Sequence, residues 1–206
     1  MPHRGGAKNA KGAQRFGSTD GCVDSWIPQV GREPAENMTR LQSRKEPIPA
    51  AAVAFVRDAG RDIEVYLSQR PSHFRYYPGA FVFPGGRRDP DDADLRATAC
   101  REVKEEIGVD IDPSRLVPLR DIHTSPHAGP VYRMLTFAYE VSGEFVTSLN
   151  REEVEQEIWL TTRDALAQLD LPYQIKAAVF TISRFTRVVD LLRALEGGTA
   201  DEDYWF

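Results

Sequence analysis

The chain has 206 residues, room for one sizeable domain with appendages or for two very small ones. Hydrophobic residues make up 41% and charged residues 28%, the balance of an ordinary globular protein, and a net charge of −5 weighs against a general nucleic-acid binder, which carries a basic excess. No run approaches the length of a membrane helix and the first stretch lacks a signal-peptide apolar region, so no membrane association is expected and the expected location is cytoplasmic.

Residues 1–46 hold six of the fifteen glycines, and their few large apolar side chains show no period. They read as a flexible tail. Arg4, Lys8, Lys11 and Arg15 precede the first acid, Asp20, a pattern better suited to a solvated tail than to a nucleic-acid arm. Cys22 in this tail and Cys100 further on read as free thiols in a reducing compartment. Order is expected from residue 47, giving a folded domain over 47–206. Residues 51–56 form an apolar run suited to a buried strand, 57–62 supply a turn, and 63–67 alternate with period two as the hairpin partner. Residues 79–83 read as a short strand stopped by Pro84-Gly85-Gly86. An acidic loop over 87–92 leads into a helix over 92–107, with Gly108 as its stop signal. Strands are expected at 116–122, 131–141 and 158–160, and helices at 162–169 and 173–195. The last helix carries Ile175, Val179, Ile182, Thr186, Val189 and Leu192 at helical spacing, a stripe for packing on a sheet. The mixture implies an α/β layered sandwich.

The informative segment is Arg101-Glu102-Val103-Lys104-Glu105-Glu106-Ile107-Gly108-Val109. On a helix Glu102, Glu105 and Glu106 share one face, while Ala99, Val103 and Ile107 occupy the other and can pack on the sheet. Three anions within a turn repel, and a hard divalent cation removes that repulsion through carboxylate oxygens. Alone, the trio reads first as an ordinary solvated helix face of Glu, Lys and Arg, which Arg101 could brace. Phe83-Pro84-Gly85-Gly86 changes this, because two glycines between a strand and an acidic loop let backbone groups approach a metal or phosphate closely. A glycine turn leading to three aligned glutamates suits a metal-bound phosphate.

At these residues the sequence resembles a Nudix hydrolase. The family's signature is Gly, five residues, Glu, seven residues, then Arg-Glu-apolar-x-Glu-Glu-x-Gly-apolar. Its second half is complete from Arg101 to Val109. Its first half departs, with Arg87 where Gly is expected and Ala93 where Glu is expected; Gly86 fits if the loop is one residue longer, and Asp91, Asp92 and Asp94 are the candidates to replace the missing acid. Upstream, Leu67, Arg70, Ser72, Arg75, Gly79, Phe83, Pro84, Gly85 and Gly86 match in register the signature of the subfamily that cleaves coenzyme A, while Tyr66, Ser68 and Pro71 differ from it.

The resemblance implies an α/β/α sandwich with a mixed sheet and a C-terminal helix. It implies Mg²⁺ or Mn²⁺ held by Glu102, Glu105, Glu106 and the backbone at Gly85-Gly86. The activity implied is hydrolysis of CoA or acyl-CoA to 3′-phosphoadenosine 5′-phosphate and (acyl-)4′-phosphopantetheine. Arg70 and Arg75 suit the phosphates of such a substrate, Gly79 belongs to the matching register, and Tyr77 with Tyr76 offers a stacking surface or a hydrophobic edge. Arg101 would brace the carboxylates. The base that takes the proton from water would be Glu105, Glu106 or an acid of a later loop such as Glu153. The partner is a small CoA-like nucleotide, and a homodimer is compatible with this reading. Two alternatives remain: hydrolysis of ADP-ribose or another nucleoside diphosphate derivative, and a non-catalytic nucleotide-binding module.

The charge is also unevenly placed. Residues 89–112 hold nine acids and three bases, a net −6, so the other residues together carry +1. The acidity belongs to one loop and one helix.

Overall fold

The structure, a computed structural model, describes residues 46–124 and 131–198. The readings placed on residues 1–45, the flexible tail and the Cys22 thiol among them, lie outside the described residues.

Strand β1 (Ile48–Ala59) is the centre of the sheet, and its residues 50–56 are all buried. A strand covered on both faces needs an uninterrupted apolar run rather than alternation, which is what Ala-Ala-Ala-Val-Ala-Phe-Val supplies. It pairs antiparallel with β2 (Asp62–Gln69) and parallel with a distant strand (Tyr132–Glu140, β6 in chain order). Two short pieces follow β2: β3 (Phe81–Val82) pairs with β2, and β4 (Gly85–Arg87) pairs with residues 50–52 of β1. Strand β5 (Val117–Thr124) flanks β6, and β7 (Gln156–Thr161) pairs with β2. The sheet is therefore mixed, in the order β3-β2-β1-β6-β5 with β4 and β7 off the main path.

Side chains alternate across the sheet. Ala51, Val53 and Phe55 face α1 (Leu95–Ile107), where Ala99, Val103 and Ile107 are fully buried as the spacing predicts. Ala52, Ala54 and Val56, with Ile63, Val65 and Leu67, face α2 (Thr162–Gln168), α3 (Tyr173–Ile182) and α4 (Val188–Glu196). The result is the α/β sandwich with helices on both faces.

Helix α1 is bounded by strong local signals. The Asp94 carboxylate accepts the Ala97 N–H (2.8 Å), so the helix starts at Leu95 rather than 92. Gly108 ends it at φ +73°, and a Cβ there would sit 2.8 Å from that of Ser148.

Other expectations shift. The strand expected over 79–83 shrinks to two residues, and the start of the expected acidic loop is strand β4. The single helix expected over 173–195 is two. No glycine or proline lies between α3 and α4, so the break has a tertiary cause: the Asp58 carboxylate accepts the Val188 N–H (2.7 Å) and the Arg187 Nε–H (2.8 Å), capping a new helix from another element. The apolar register resets at the break. Val188 and Leu191 are buried, whereas Val189, placed in the core stripe by periodicity, is half exposed.

Candidate active site

Strand β4 and helix α1 lie side by side, and this contact builds the site. Gly85 adopts φ +156°, and a Cβ there would overlap the Ala51 carbonyl and lie 2.5 Å from Ala52 Cα. Only glycine fits between β1 and α1 at this point. A Cβ on Gly86 would lie 2.5 Å from the Glu102 Oε1 atom. The glycine pair thus brings backbone against the glutamate face of α1.

The three glutamates have three environments. Glu106 is only 7% exposed, and its Oε2 accepts the Gly85 N–H at 3.0 Å. Burial, then the nearby negative charge of Glu102 and Glu153, push its carboxyl up to about 8, against the opposing pull of the Gly85 N–H and Arg70. Glu102 is mostly buried; burial pushes it up while the Arg101 guanidinium, at 2.9 Å, pulls back. Glu105 is half exposed and also meets Arg101 at 2.9 Å. Helical geometry placed all three on one face, but the proximity of β4 buries one and leaves another in solvent.

Arg101 is the hub of this face. Its Nε donates to Asp92 Oδ1 (3.1 Å) and its Nη2 to Asp92 Oδ2 (2.9 Å), while Nη2 also reaches the Arg87 carbonyl and Nη1 reaches Glu102 and Glu105. The planar fork of arginine suits this two-point grip. Asp92, 8% exposed, is held well below the usual carboxylate range, chiefly by Arg101. Of the three acids left open by the sequence, Asp92 is thus the one facing Arg101. Asp94 caps the helix, and the Asp91 N–H donates to Asp89. Arg88 staples the same loop through the carbonyls of Asp92 and Ala93.

Arg70 is within electrostatic reach of Glu106. Its guanidinium is largely buried, lies 4.7 Å over the Phe74 ring and donates through Nε to the Tyr76 carbonyl (3.1 Å). Burial lowers its pKa, and the charges of Glu106 and Glu153 oppose that. Glu153 is half-buried on a segment tied to α1, where the Asn150 N–H donates to the Glu106 carbonyl (2.9 Å) and the Ser148 N–H to that of Ile107 (2.8 Å). Glu102, Glu106, Glu153 and Arg70 are therefore within mutual electrostatic reach. Arg75 is exposed and lies over Tyr76 (5.5 Å), with no bond to the carboxylates. Tyr77 has φ +52°, an uncommon conformation for a tyrosine, and its carbonyl accepts the Ala80 N–H; Gly79 follows at φ +70°.

Hard oxygen donors around a buried carboxylate match the chemistry of a hard divalent cation. The glycine pair leaves room for backbone to approach, and a side chain at Gly86 would take that room. Among the described residues no three acidic or histidine side chains are drawn together as placed, because Arg101 stands between Glu102 and Glu105 and supplies the positive charge there.

The NUDIX domain family matches residues 47–180 of this chain. The chain belongs to the Nudix hydrolase family. The match begins just ahead of β1 and ends within α3. Over 140 residues the chain is 31% identical to an uncharacterized Nudix hydrolase, NudL, of Yersinia enterocolitica, covering 59% of this chain and 71% of that one. With NudL of Yersinia pestis it shares 35% identity over 94 residues, 41% of this chain and about half of the relative's length at 47%. Among solved structures, a NUDIX hydrolase from Alicyclobacillus acidocaldarius aligns with a TM-score of 0.65 at 21% identity, over 74% of this chain and 98% of that one. The NUDIX domain of Shewanella oneidensis NrtR, solved with ADP ribose, aligns with a TM-score of 0.56 at 18% identity, over 72% and 95%. At these identities the structural likeness is one of fold. Nudix hydrolases generally use divalent metal ions. No helix among the described residues is long and apolar enough to cross a membrane.

Two residues that shape this Nudix site were absent from the sequence reading. Asn150 acts through its main-chain N–H on the Glu106 carbonyl, which any residue but proline could supply, and Gln69 through side-chain bonds to Gly79 and Gln156, for which its residue type carries no local signal.

Proposed function

We propose that this Nudix hydrolase cleaves the pyrophosphate of coenzyme A or an acyl-CoA, releasing 3′-phosphoadenosine 5′-phosphate and (acyl-)4′-phosphopantetheine. The observation that carries the reading is Arg70: it stands in the CoA-type register from Leu67 to Gly86, and its guanidinium is within electrostatic reach of Glu106 and Glu153. A guanidinium there suits a phosphate held next to the carboxylates.

Glu102, Glu105 and Glu106, with the backbone at Gly85-Gly86, would hold Mg²⁺ or Mn²⁺, which neutralises the pyrophosphate and acidifies the attacking water. Arg101 orients Glu102 and Glu105 from its anchor on Asp92. Glu153 accepts the proton from water as its oxygen bonds to phosphorus and the bridging P–O bond breaks. Arg70 holds the pyrophosphate, and exposed Arg75 takes the 3′-phosphate. Tyr77 and Tyr76 provide aromatic surface for the adenine.

A second reading, an ADP-ribose-type substrate, draws on the ADP ribose bound by the Shewanella neighbour. One screen separates them. The purified chain with Mg²⁺ or Mn²⁺ is offered CoA, acyl-CoAs, ADP-ribose, NADH and dNTPs, and products are identified. Fast release of 3′-phosphoadenosine 5′-phosphate from CoA is expected; intact CoA beside a rapidly cut alternative overturns the proposal. Arg75→Ala should weaken CoA more than 3′-dephospho-CoA, and equal losses would remove Arg75 from the 3′-phosphate.

A further inference from the structure

Gln69, the last residue of β2, lies where two loops of the site meet. Its backbone carbonyl accepts the Glu155 N–H (2.9 Å). Its side-chain Nε2 donates to the Gly79 carbonyl (2.9 Å), and its Oε1 accepts the Gln156 Nε2–H (2.6 Å). A carbonyl can only accept, so Gly79 sets which way the Gln69 amide points, and Gln156 must then donate. The side-chain amide therefore ties the turn that closes residues 70–80 to Gln156 at the start of β7, and the main-chain carbonyl of the same residue holds the end of the segment that carries Glu153.

The two loops depend on such ties. Residues 71–80 contain no strand or helix, and their path includes Tyr77 at φ +52°, a strained conformation that persists only where neighbours hold it. Residues 148–155 are likewise irregular, pinned to α1 at one end through Asn150 and to Gln69 at the other through Glu155. Segments held by a few backbone bonds sit at the low end of local stability, where the loss of one bond is felt.

We propose that Gln69 is a positioning residue that fixes the spacing between Arg70 and Glu153, so that the grip on an anionic substrate and the placement of the proton-accepting carboxylate are set together. This rests on the roles proposed above for Arg70 and Glu153. The Gln69 side chain acts through Gly79 and Gln156, and in the CoA-type register it occupies the position the signature leaves variable.

The full chain is tested with Gln69→Leu, which keeps the bulk and removes both side-chain bonds. Kinetics use the substrate that the screen identifies; hydrogen exchange needs none. Exchange should quicken in residues 74–80 and 150–156 while α1 stays protected. A misplacement approaching 1 Å costs up to about 100-fold, so kcat should fall about 10-fold and KM rise about 10-fold. Gln156→Leu, which cuts only the Glu153 side, should lower kcat about 3-fold, leave KM unchanged and loosen only 150–156. In a Glu153→Gln background, Gln69→Leu should keep its effect on KM and lose its effect on kcat. Quicker exchange in one loop only, loosening of the whole domain at constant kinetics, or equal losses in every background would overturn the proposal. If Glu153→Gln alone leaves kcat unchanged, the role of Glu153 falls, and the exchange of the two loops still decides that of Gln69.

Discussion

The two faces of the sheet are built on opposite principles. On one, α2, α3 and α4 close over Ala52, Ala54, Val56, Ile63, Val65 and Leu67 with buried apolar side chains. On the other, α1 buries Ala99, Val103 and Ile107 but turns its flank, through Glu102 and Glu106, against β4. The first face is stabilised by removing apolar surface from water. The second confines like charges, which costs stability and suits a site that binds cations and phosphates. Substitutions on the charged flank should therefore change turnover more than stability, and substitutions on the apolar face the reverse.

The largest expected effect is at Glu106. Glu106→Gln should lower turnover by about 1,000-fold, as expected when a group that orders transition-state charge is lost, while the melting temperature holds or rises because the amide keeps the bulk and replaces a carboxyl whose charged form burial disfavours. A fall in melting temperature with near-normal turnover would erase the contrast between the faces. Arg101→Ala tests the point where it should fail. It strands the nearly buried Asp92 without its partner, so stability should drop by about 3 kcal/mol in denaturant titration, together with activity. Gly86→Ala sharpens the contrast again. Its methyl group presses on Glu102, so turnover should fall about 100-fold with the melting temperature nearly unchanged.

The smallest effect belongs to the apolar face. Asp58→Ala removes the tertiary cap of α4, which should cost about 1 kcal/mol and leave turnover intact. The same group sets a pH dependence. The Val188 N–H, ahead of Arg187, holds the folded Asp58 carboxyl below its ordinary value of 3.8. Its contribution is present above that value and fades as pH falls through the lower folded one. Denaturant titrations from pH 5 to 2 should show the native chain losing stability more steeply than Asp58→Asn; parallel curves would remove Asp58 as the source.

Much of this was legible along the chain. The period of α1, its Gly108 stop and the buried run of β1 are local properties, readable because helix and strand periods differ and because Gly, Asp and Pro act on their own backbone. The Nudix signature was readable for the same reason: Arg101 to Ile107 lies on one continuous helix, which Gly108 ends. The elbow between α3 and α4 was not, since residues 183–187 contain no breaker and the bond that bends the chain comes from Asp58 on β1.

The sequence by itself determined the layers of the sandwich, the glutamate trio and the family, because each is written in short-range spacings along the chain. Only the tertiary structure decided which glutamate is buried, which of three aspartates faces Arg101, and that Arg70 comes within electrostatic reach of Glu106 and Glu153. Those outcomes depend on β4 lying against α1 and on two loops meeting at Gln69, and contacts between distant segments leave no periodic trace in a single chain.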